Sequence, residues 1–468
     1  MQKTDKKVYI ETLGCQMNVN DSELMAGLLA KEGFALTHEE QEADLLVLNT
    51  CQIRGSAEDK AFSYAGYWRR LKRKNPDLKI AMAGCVAQQA KESIFKRLPH
   101  VDMVFGTQNI KDLPELIKRV YAGEEHVLLV EKTKTRSNYD YHTDVAPIRE
   151  SDISAWVTII EGCDYFCTYC VVPYTRGRQI SRQPYAILDE IKKLADYGFK
   201  EVTLLGQTVD SYGKDFTGQQ YDLADLLHAV HDINGIERIR FMTSHPLDLS
   251  DRIIEAVAEL PRVMEHIHIP MQAGDNTVLE RMRRGHTAQQ YYDLVDKIYD
   301  RIPGVSVSGD YIVGFPGETD AQFEQTLYSI KRAGLYNANT AIYSAREQTP
   351  AALWQERGEE VPEDIKRERL VRANAIVREQ AHQQNKQLEG STVEVLVEGK
   401  SRRNEARLTG RTRTNRVVNF ESSLPEDTLV GQLVQIHITE ALPFSLLGQH
   451  VISTSLDFNH DNCLSGTR

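Results

Sequence analysis

Apolar runs in the first third of the chain alternate with segments whose apolar residues have helical spacing. The runs lie at Val8–Leu13, Ala43–Leu48, Lys79–Ala83 and Val101–Phe105, and the helical segments include Asp21–Glu32 and Ala57–Lys74. Buried strands that alternate with helices are typical of an α/β unit with a parallel sheet. We therefore predict an α/β domain over residues 1–146.

A second alternation of strands and helices follows a polar stretch near residues 131–151, which indicates a linker. Six strand candidates occur in order, at Ala155–Glu161, Glu201–Gly206, Ile239–Thr243, His266–Pro270, Val305–Gly314 and Asn339–Tyr343. Helical segments separate them, at Pro184–Tyr197, Leu223–Asn234, Ser250–Leu260, Thr287–Ile302 and Asp320–Ala333. Six βα repeats predict an incomplete α/β barrel over residues 147–384.

The apolar period changes after a charged helical segment at Glu363–Gln387. Apolar and polar residues alternate at 393–397 and at 434–438, which is strand spacing rather than helix spacing. We predict a small β-barrel module over residues 385–452 and a polar tail over residues 453–468.

Composition limits the function classes. The chain of 468 residues has 56 Lys and Arg against 67 Asp and Glu, a net charge of −11. This charge argues against a protein that coats nucleic acid indiscriminately, so any RNA contact must come from local basic patches. The first residues are charged and no run of about 20 apolar residues occurs, so we predict neither export nor a membrane span. We expect a cytoplasmic protein.

Six of the seven cysteines form two groups of three. Cys163, Cys167 and Cys170 lie within eight residues, and we call them the tight trio. A structural zinc site needs four ligands, whereas this segment has no fourth cysteine and no histidine before His228. Three thiolates leave a metal position open, which favours an iron–sulfur cluster that binds and activates a ligand. In a cytosolic protein, metal chemistry explains such cysteines better than disulfides.

Cys15, Cys51 and Cys85 each follow an apolar run within three residues, and we call them the spaced trio. Because the carboxyl ends of parallel strands share one edge of a sheet, these side chains should converge on a second metal site. The alternative, three unrelated buried cysteines, does not explain the same strand-end position three times. Cys463, in the polar tail, has no partner pattern and is interpreted as a bystander.

Four motifs surround the two trios. Residues 161–182 are EGCDYFCTYCVVPYTRGRQISR, residues 12–23 are TLGCQMNVNDSE, residues 46–54 are LVLNTCQIR and residues 83–88 are AGCVAQ. Up to about Val451, the chain resembles the methylthiotransferase family of radical S-adenosylmethionine (SAM) enzymes, specifically its tRNA-modifying MiaB type. The resemblance implies one [4Fe–4S] cluster on each trio, SAM on the open iron of the tight-trio cluster, and a C-terminal TRAM module.

The resemblance also implies a reaction. One SAM methylates a sulfur at the spaced-trio cluster, and a second SAM yields the radical that removes hydrogen from the substrate so that sulfur is inserted. The implied substrate is N6-isopentenyladenosine in the tRNA anticodon loop, with an external electron donor and sulfur source. Two alternatives stay open: methylthiolation of a ribosomal-protein aspartate, and an RNA-binding module whose clusters are structural.

Side chains at strand ends are implied to form the SAM pocket, namely Tyr169, Gly206, Gln207, Ser244, Gln272, Ile312 and Gly314. The chain departs from the family pattern at Asp310, where Gly is usual, and at Thr208 and Asp210, where Asn is common. Gly55-Ser56 is a further departure. These differences concern substrate and cofactor contacts rather than the cluster ligands.

No catalytic His, Asp or Ser is required, because the cofactors carry the chemistry. His266 and His268 alternate on one predicted strand and therefore share a face. No third ligand has suitable spacing for a metal site, so we interpret them as a hydrogen-bonded pair in the barrel interior.

The β module contains a basic segment at Gly399–Val418, with seven Lys and Arg against one acid, Glu405. This asymmetry predicts contacts with RNA phosphates, and a solvated hairpin is the alternative. The candidate RNA-binding residues are Arg402, Arg403, Arg411, Arg413 and Arg416. A second basic run, Arg69–Lys74, is interpreted as a solvated helix face.

Overall fold

A computed structural model describes residues 6–52, 55–131, 145–218 and 220–452 of the chain. The chain divides into two compact units, residues 1–381 and residues 382–468. The first unit contains both the predicted α/β domain and the predicted barrel. The polar tail with Cys463 and most of the predicted linker lie outside the described residues, and the boundary at residues 146/147 stays a prediction.

The N-terminal part is a six-stranded parallel sheet in the order β2-β1-β3-β4-β5-β6, as predicted for this α/β domain. Its strands are β1 (Lys7–Leu13), β2 (Ala35–Leu36), β3 (Leu45–Thr50), β4 (Lys79–Ala83), β5 (Met103–Phe105) and β6 (Val127–Leu129). Its helices are α1 (Gln16–Lys31), α2 (Gly55–Lys74), α3 (Gly84–Ala90), α4 (Ser93–Arg97) and α5 (Leu113–Tyr121). The strands β2 and β6 have two and three residues, too few for a periodic signal.

Helices cover both faces of this sheet. Leu45 and Val47 of β3 belong to the apolar core on one face, and Leu46 and Leu48 belong to the core on the other face, with Trp68 of α2. All four β3 side chains are fully buried. Burial on both faces explains why β3 is a continuous apolar run rather than an alternating one.

The rest of the first unit is the predicted partial barrel. Its strands are β7 (Ser154–Thr158), β8 (Ile160–Glu161), β9 (Ile180–Ser181), β10 (Glu201–Leu205), β11 (Arg238–Phe241), β12 (His266–His268), β13 (Ser306–Val313) and β14 (Asn337–Ile342). Its helices are α6 (Val172–Thr175), α7 (Pro184–Asp196), α8 (Leu223–His231), α9 (Asp251–Glu259), α10 (Asn276–Arg281), α11 (Ala288–Arg301), α12 (Asp320–Ala333), α13 (Pro350–Trp354) and α14 (Glu363–Lys386).

Six of these strands are parallel and follow one another around the barrel. Strands β7, β10 and β11 form one sheet and β12, β13 and β14 form another, and a parallel bridge between Ile239 and Val263 joins the two. The first predicted strand, Ala155–Glu161, differs in detail because it breaks after Thr158. Its last residues form β8, which pairs with β9 in a separate hairpin around the tight trio.

The second unit contains a closed five-stranded barrel in the order β15-β16-β17-β19-β18. Its strands are β15 (Thr392–Ser401), β16 (Asn404–Thr412), β17 (Val417–Glu421), β18 (Leu433–Leu442) and β19 (Ser445–His450), and α15 is Glu426–Leu429. Val434, Ile436 and Ile438 of β18 alternate into its core, as their spacing predicts. In the described part of the chain, no helix is long and apolar enough to cross a membrane.

Arg416 lies inside this second unit, although the sequence analysis placed it among RNA contacts. Its side chain is buried, its Nε donates to Asn385 Oδ1 at 3.1 Å and its Nη1 donates to Thr414 Oγ1 at 2.6 Å. The guanidinium therefore links the end of α14, which precedes β15, to the turn before β17.

We expect Arg416→Ala to destabilise the second unit, because it leaves buried polar partners unsatisfied, at a cost of about 1–3 kcal/mol. Arg402→Ala is the matched control, since Arg402 is exposed. Hydrogen exchange of the β16 and β17 amides in the full chain measures the loss. Equal protection in the two variants would contradict the structural role of Arg416.

Candidate active site

The spaced trio lies at the carboxyl edge of the N-terminal sheet. Cys15 follows β1 and is the N-cap residue of α1, Cys51 follows β3 directly, and Cys85 is the second residue of α3 after β4. Strands β1, β3 and β4 are neighbours in the sheet, so the strand topology brings these three positions together as predicted.

Side-chain interactions connect the spaced trio. A hydrogen bond with the Cys51 thiol, together with the charge of Arg176, lowers the pKa of Cys15 to about 6. Burial raises the pKa of Cys85, and the Arg176 guanidinium opposes that effect through its charge and a hydrogen bond. Cys15 and Cys85 therefore share the field of one buried cation, Arg176, and Cys51 interacts with a second buried cation, Arg346.

A polar network holds the turn that carries Cys15. Asn18 Oδ1 accepts from the Cys15 backbone N–H at 3.3 Å, and Asn18 Nδ2 donates to Asn49 Oδ1 at 3.2 Å. Gly84, before Cys85, has φ +88°, and a Cβ there would lie 2.3 Å from the Thr50 carbonyl oxygen. The motifs around the spaced trio thus supply the polar cross-links and close backbone approach that place the thiols.

The tight trio lies in the loop between β8 and β9. The Cys163 N–H donates to the Gly177 carbonyl at 3.2 Å, and its sulfur is 3.4 Å from Thr208 Oγ1. Cys167 accepts a hydrogen bond from Arg284 Nη1 at 3.7 Å. Thr208, a departure from the family pattern, therefore lies against a predicted cluster ligand.

Burial raises the pKa of two thiols of the tight trio. It raises the pKa of Cys163, and with the neighbouring Cys167 it raises the pKa of Cys170 to about 12. Such thiols resist ionisation until a metal or cation compensates for the lost hydration. Metal ligation supplies that compensation, because a coordinating thiol is deprotonated.

The donor set of each trio fits an iron–sulfur cluster better than a single ion. Within the described ranges, no three His, Cys, Asp or Glu side chains are placed to hold one metal ion together. In a [4Fe–4S] cluster each protein thiolate binds a separate iron, so the ligands surround a cluster rather than one point. Three thiols per site fit a cluster with one iron open to another ligand.

Arg176 connects the two trios, and sequence reasoning did not identify it as a site residue. It is 3% exposed, and its guanidinium bonds Asp21 of α1 at 2.6 Å and Glu161 of β8 at 2.7 Å. The next residue, Gly177, accepts the Cys163 N–H. Burial raises the pKa of Glu161 to about 7 and also raises that of Asp21, and Arg176 opposes both effects.

A second arginine joins the same two parts of the first unit. Arg149 Nη1 bonds Glu23 of α1 at 3.1 Å, and its Nη2 bonds Glu190 of α7 at 2.7 Å. Asp21 and Glu23, both in the TLGCQMNVNDSE motif, therefore anchor the spaced-trio helix to the barrel.

The predicted SAM-pocket residues lie at carboxyl ends of barrel strands. Gln207 Oε1 accepts the Gly162 N–H at 2.5 Å, which ties β10 to the tight-trio loop. Gln272 has φ +82°, and Ile312 donates its N–H to the Gln272 carbonyl at 2.8 Å. Gly314 donates its N–H to Glu318 Oε2 at 2.7 Å. The remaining predicted pocket residues are Tyr169, half-buried, Gly206, packed on Ile160, and Ser244, buried.

Several buried polar atoms at these strand ends, or on the neighbouring turn after α10, have no hydrogen-bond partner among the described residues. They are Asp210 Oδ1, Ser244 Oγ, His245 Nε2 and Arg284 Nε. Burial, Arg284 and His286 lower the pKa of His245 to about 2, so its imidazole is neutral. A polar ligand such as SAM would satisfy these atoms, so the residues fit the cofactor. Sequence reasoning placed Ser244 and His245 together at this strand end but missed Arg284.

His266 and His268 form the predicted hydrogen-bonded pair. His266 Nε2 and His268 Nδ1 lie 3.0 and 2.8 Å from Ser308 Oγ, and His268 Nε2 lies 3.1 Å from Asp310 Oδ2. Asp310, a departure from the family pattern, therefore belongs to this network.

The candidate RNA-binding arginines have different surroundings. Arg402 and Arg403 are exposed at the turn between β15 and β16, and Arg413 is half-buried. Arg411 Nε pairs with Glu398 Oε1 at 3.1 Å. Only the turn presents adjacent exposed arginines among the five candidates.

We expect Arg176→Gln to lower the free energy of unfolding of the first unit by about 3–5 kcal/mol, because two buried carboxylates lose their cation. Arg178→Gln is the control, since the Arg178 side chain is 65% exposed. Urea denaturation at equal iron content measures both variants. If the two lost the same stability, Arg176 would not carry the connection between the trios.

Three family profiles match successive parts of the chain. Residues 7–106 match the uncharacterised protein family UPF0004, residues 157–329 match the radical SAM superfamily, and residues 386–451 match the TRAM domain. The first match contains the spaced trio, the second contains the tight trio, and the third contains the five-stranded barrel.

A solved structure shares the fold. The radical SAM methyltransferase TsrM from Kitasatospora setae, with cobalamin and a [4Fe–4S] cluster bound, has a TM-score of 0.55 over 75% of this chain and 74% of its own, at 14% identity. This likeness concerns the fold alone.

Full-length relatives are far more similar in sequence. The tRNA-2-methylthio-N(6)-dimethylallyladenosine synthase of Carboxydothermus hydrogenoformans is 46% identical over 95% of this chain and 99% of its own length. The synthase of Desulforamulus reducens is 47% identical over 96% of both chains. On this similarity, which includes both trios and the β-barrel module, the chain belongs to the tRNA-2-methylthio-N(6)-dimethylallyladenosine synthase family of radical SAM enzymes.

Proposed function

We propose that this protein methylthiolates tRNA, converting N6-isopentenyladenosine beside the anticodon to its 2-methylthio derivative. The observation that carries this proposal is the connection of two three-thiol sites through one buried arginine. Arg176 interacts with Cys15 and Cys85, and Gly177 bonds Cys163. A radical enzyme with a single cluster has no need of the second thiol site.

The tight trio is proposed to hold a [4Fe–4S] cluster that binds SAM, and the spaced trio to hold a second [4Fe–4S] cluster. When bound, these groups supply the electron, the radical and the sulfur that the reaction needs. The chain's own residues bind and orient them. Gln207 fixes the tight-trio loop through Gly162, and Arg284 places a cation beside Cys167.

The neutral His245 and the other unpartnered polar atoms are proposed to contact SAM. Tyr165 stacks on His245 with ring centroids 3.9 Å apart and donates to Asp248 at 2.7 Å, which holds the imidazole in place. Tyr169 and Ile312, half-buried against the barrel core, are proposed to supply the apolar surface of the same pocket. A site that combines fixed polar atoms with apolar walls orients a ligand and excludes water.

The RNA substrate is proposed to contact the second unit through Arg402, Arg403, Arg411 and Arg413. Exposed anticodon-loop bases suit this chemistry, because bases inside an A-form helix are hard to reach. A cytoplasmic location, an external electron donor and a sulfur source complete the proposal. The alternatives are methylthiolation of a ribosomal-protein aspartate and RNA binding with structural clusters, and the experiments below separate them.

Anaerobically reconstituted protein should contain about eight irons, and the triple variant of Cys163, Cys167 and Cys170 to Ala should contain about four. The same variant should release no 5′-deoxyadenosine from SAM. Iron analysis and product chromatography measure the two outcomes. Continued SAM cleavage would show that the radical site lies elsewhere.

The companion triple variant of Cys15, Cys51 and Cys85 to Ala should still cleave SAM but should not methylthiolate tRNA, because only the sulfur-donating site is lost. Mass spectrometry of tRNA nucleosides from cells lacking the protein, complemented with each variant, measures modification. Parent protein that fails to restore the methylthio group would refute tRNA as the substrate. Structural clusters would predict no SAM cleavage by any form.

Replacing Arg402 and Arg403 by Ala should weaken tRNA binding and lower the log–log salt slope by roughly 0.7 to 0.9 for each lost phosphate contact. SAM cleavage without tRNA should survive, because the second unit contains neither thiol trio. Filter binding at several salt concentrations measures affinity and slope. An unchanged slope in the folded variant would remove this turn from RNA recognition.

A further inference from the structure

Helix α2 has one strongly basic exposed face. Ala61, Ala65 and Trp68 bury its inner face in the core beside the sheet. The exposed side chains of α2 from residue 58 onward are Asp59, Lys60, Ser63, Tyr67, Arg69, Arg70, Arg73 and Lys74, so five of the eight are cations. We call the five cations of this set, Lys60, Arg69, Arg70, Arg73 and Lys74, the α2 basic face.

No acid in the described part of the chain forms an ion pair with the α2 basic face. Lys72, on the inner flank, pairs with Asp102, whereas the five cations of the face form no ion pair with any described residue. The acids of α2 are Glu58 and Asp59, both in the first turns of the helix. Arg97 of α4 adds another exposed cation alongside, with its guanidinium 3.4 Å from the Phe62 ring centroid.

Helix α2 starts near the spaced trio, and four of the five cations of its basic face lie in its last six residues. Helix α2 starts four residues after Cys51. Its first turn lies near Arg346, since Glu58 and Cys51 oppose the burial that lowers the pKa of Arg346. At 1.5 Å per residue, Lys60 and Lys74 lie about 21 Å apart along the helix axis.

We propose that the α2 basic face binds the phosphate backbone of the tRNA stem that adjoins the anticodon loop. The inference rests on the proposed function, because it takes tRNA as the substrate. When the target base enters the site beside Cys51, the stem must continue outward from it. Cations placed along α2 away from Cys51, without an ion pair to any described residue, match a row of phosphates, and the exposed Tyr67 hydroxyl can also bond phosphate.

An acidic electron-carrying protein is the competing occupant. Such a carrier must approach the tight trio, where SAM is proposed to be reduced. The α2 basic face instead lies on a helix that starts beside a spaced-trio ligand, and its cations extend several helical turns away from that ligand. The direction and length of the face therefore favour a long anionic ligand, and RNA is that ligand.

The test compares two triple variants of the full-length reconstituted enzyme. The first is Arg70→Ala, Arg73→Ala and Lys74→Ala. The matched control is Lys192→Ala, Arg301→Ala and Lys331→Ala, which removes three exposed cations from the barrel helices α7, α11 and α12. Each protein binds full-length isopentenylated tRNA, and a hairpin that carries the same loop on a shortened stem, over a range of salt concentrations.

The first variant should bind full-length tRNA at least about tenfold more weakly, with a log–log salt slope lower by about 2 to 3 for three lost contacts. It should bind the shortened hairpin like the parent and keep the parent's turnover at saturating tRNA, since no site residue changes. The control variant should match the parent in every measurement. Iron content and circular dichroism establish that both variants are folded.

Unchanged tRNA affinity and slope in the first variant would overturn the inference, as would an equal loss in the control. Normal tRNA binding combined with slow reduction by an acidic electron carrier, but not by dithionite, would assign the face to the electron donor instead. These outcomes are distinct from failure of the proposed function, in which the parent itself would not methylthiolate tRNA.

Discussion

The buried guanidinium of Arg176 is the interaction on which the active site depends. A buried cation is costly unless carboxylates pair with it, and both of its partners, Asp21 and Glu161, are themselves buried. One partner belongs to the spaced-trio helix and the other to the barrel. The pairing is satisfied only when the two parts are in contact, which explains why residues 1–381 form one compact unit although two family profiles cover them.

Local sequence patterns predicted the elements that bury a continuous apolar surface. The fully buried β3 and the alternating β18 illustrate the two kinds of signal, one for a parallel sheet and one for a small barrel. The predicted strand Ala155–Glu161 was too long, because its end leaves the barrel to pair with β9 and brings Glu161 to Arg176. An apolar pattern does not reveal that break, since Ile159 and Ile160 are buried on either path.

Charged residues that pair only in the folded structure were harder to predict than the cluster ligands. The cysteines were recognisable because thiol chemistry restricts their spacing, whereas Arg176 gained its role from burial against a distant helix. A charged residue inside the otherwise uncharged VVPYTRG segment was the available signal. Counting charges along the sequence also overstated the free positive charge of the β module, because Lys400 and Arg407 pair with Glu426 and Glu421 across the fold.

Asp210 stands where the family commonly has Asn, and its burial preserves the hydrogen-bonding capacity of that position. Burial, with Asp248 nearby, raises the pKa of Asp210 well above its usual value, which favours the protonated carboxyl. Asp210 Oδ2 accepts a hydrogen bond from the backbone N–H of His245 at 2.7 Å, and Asp210 Oδ1 has no partner among the described residues. A protonated carboxyl offers one acceptor and one donor, as the amide of Asn does, so the buried acid keeps the hydrogen-bonding capacity of the family's Asn.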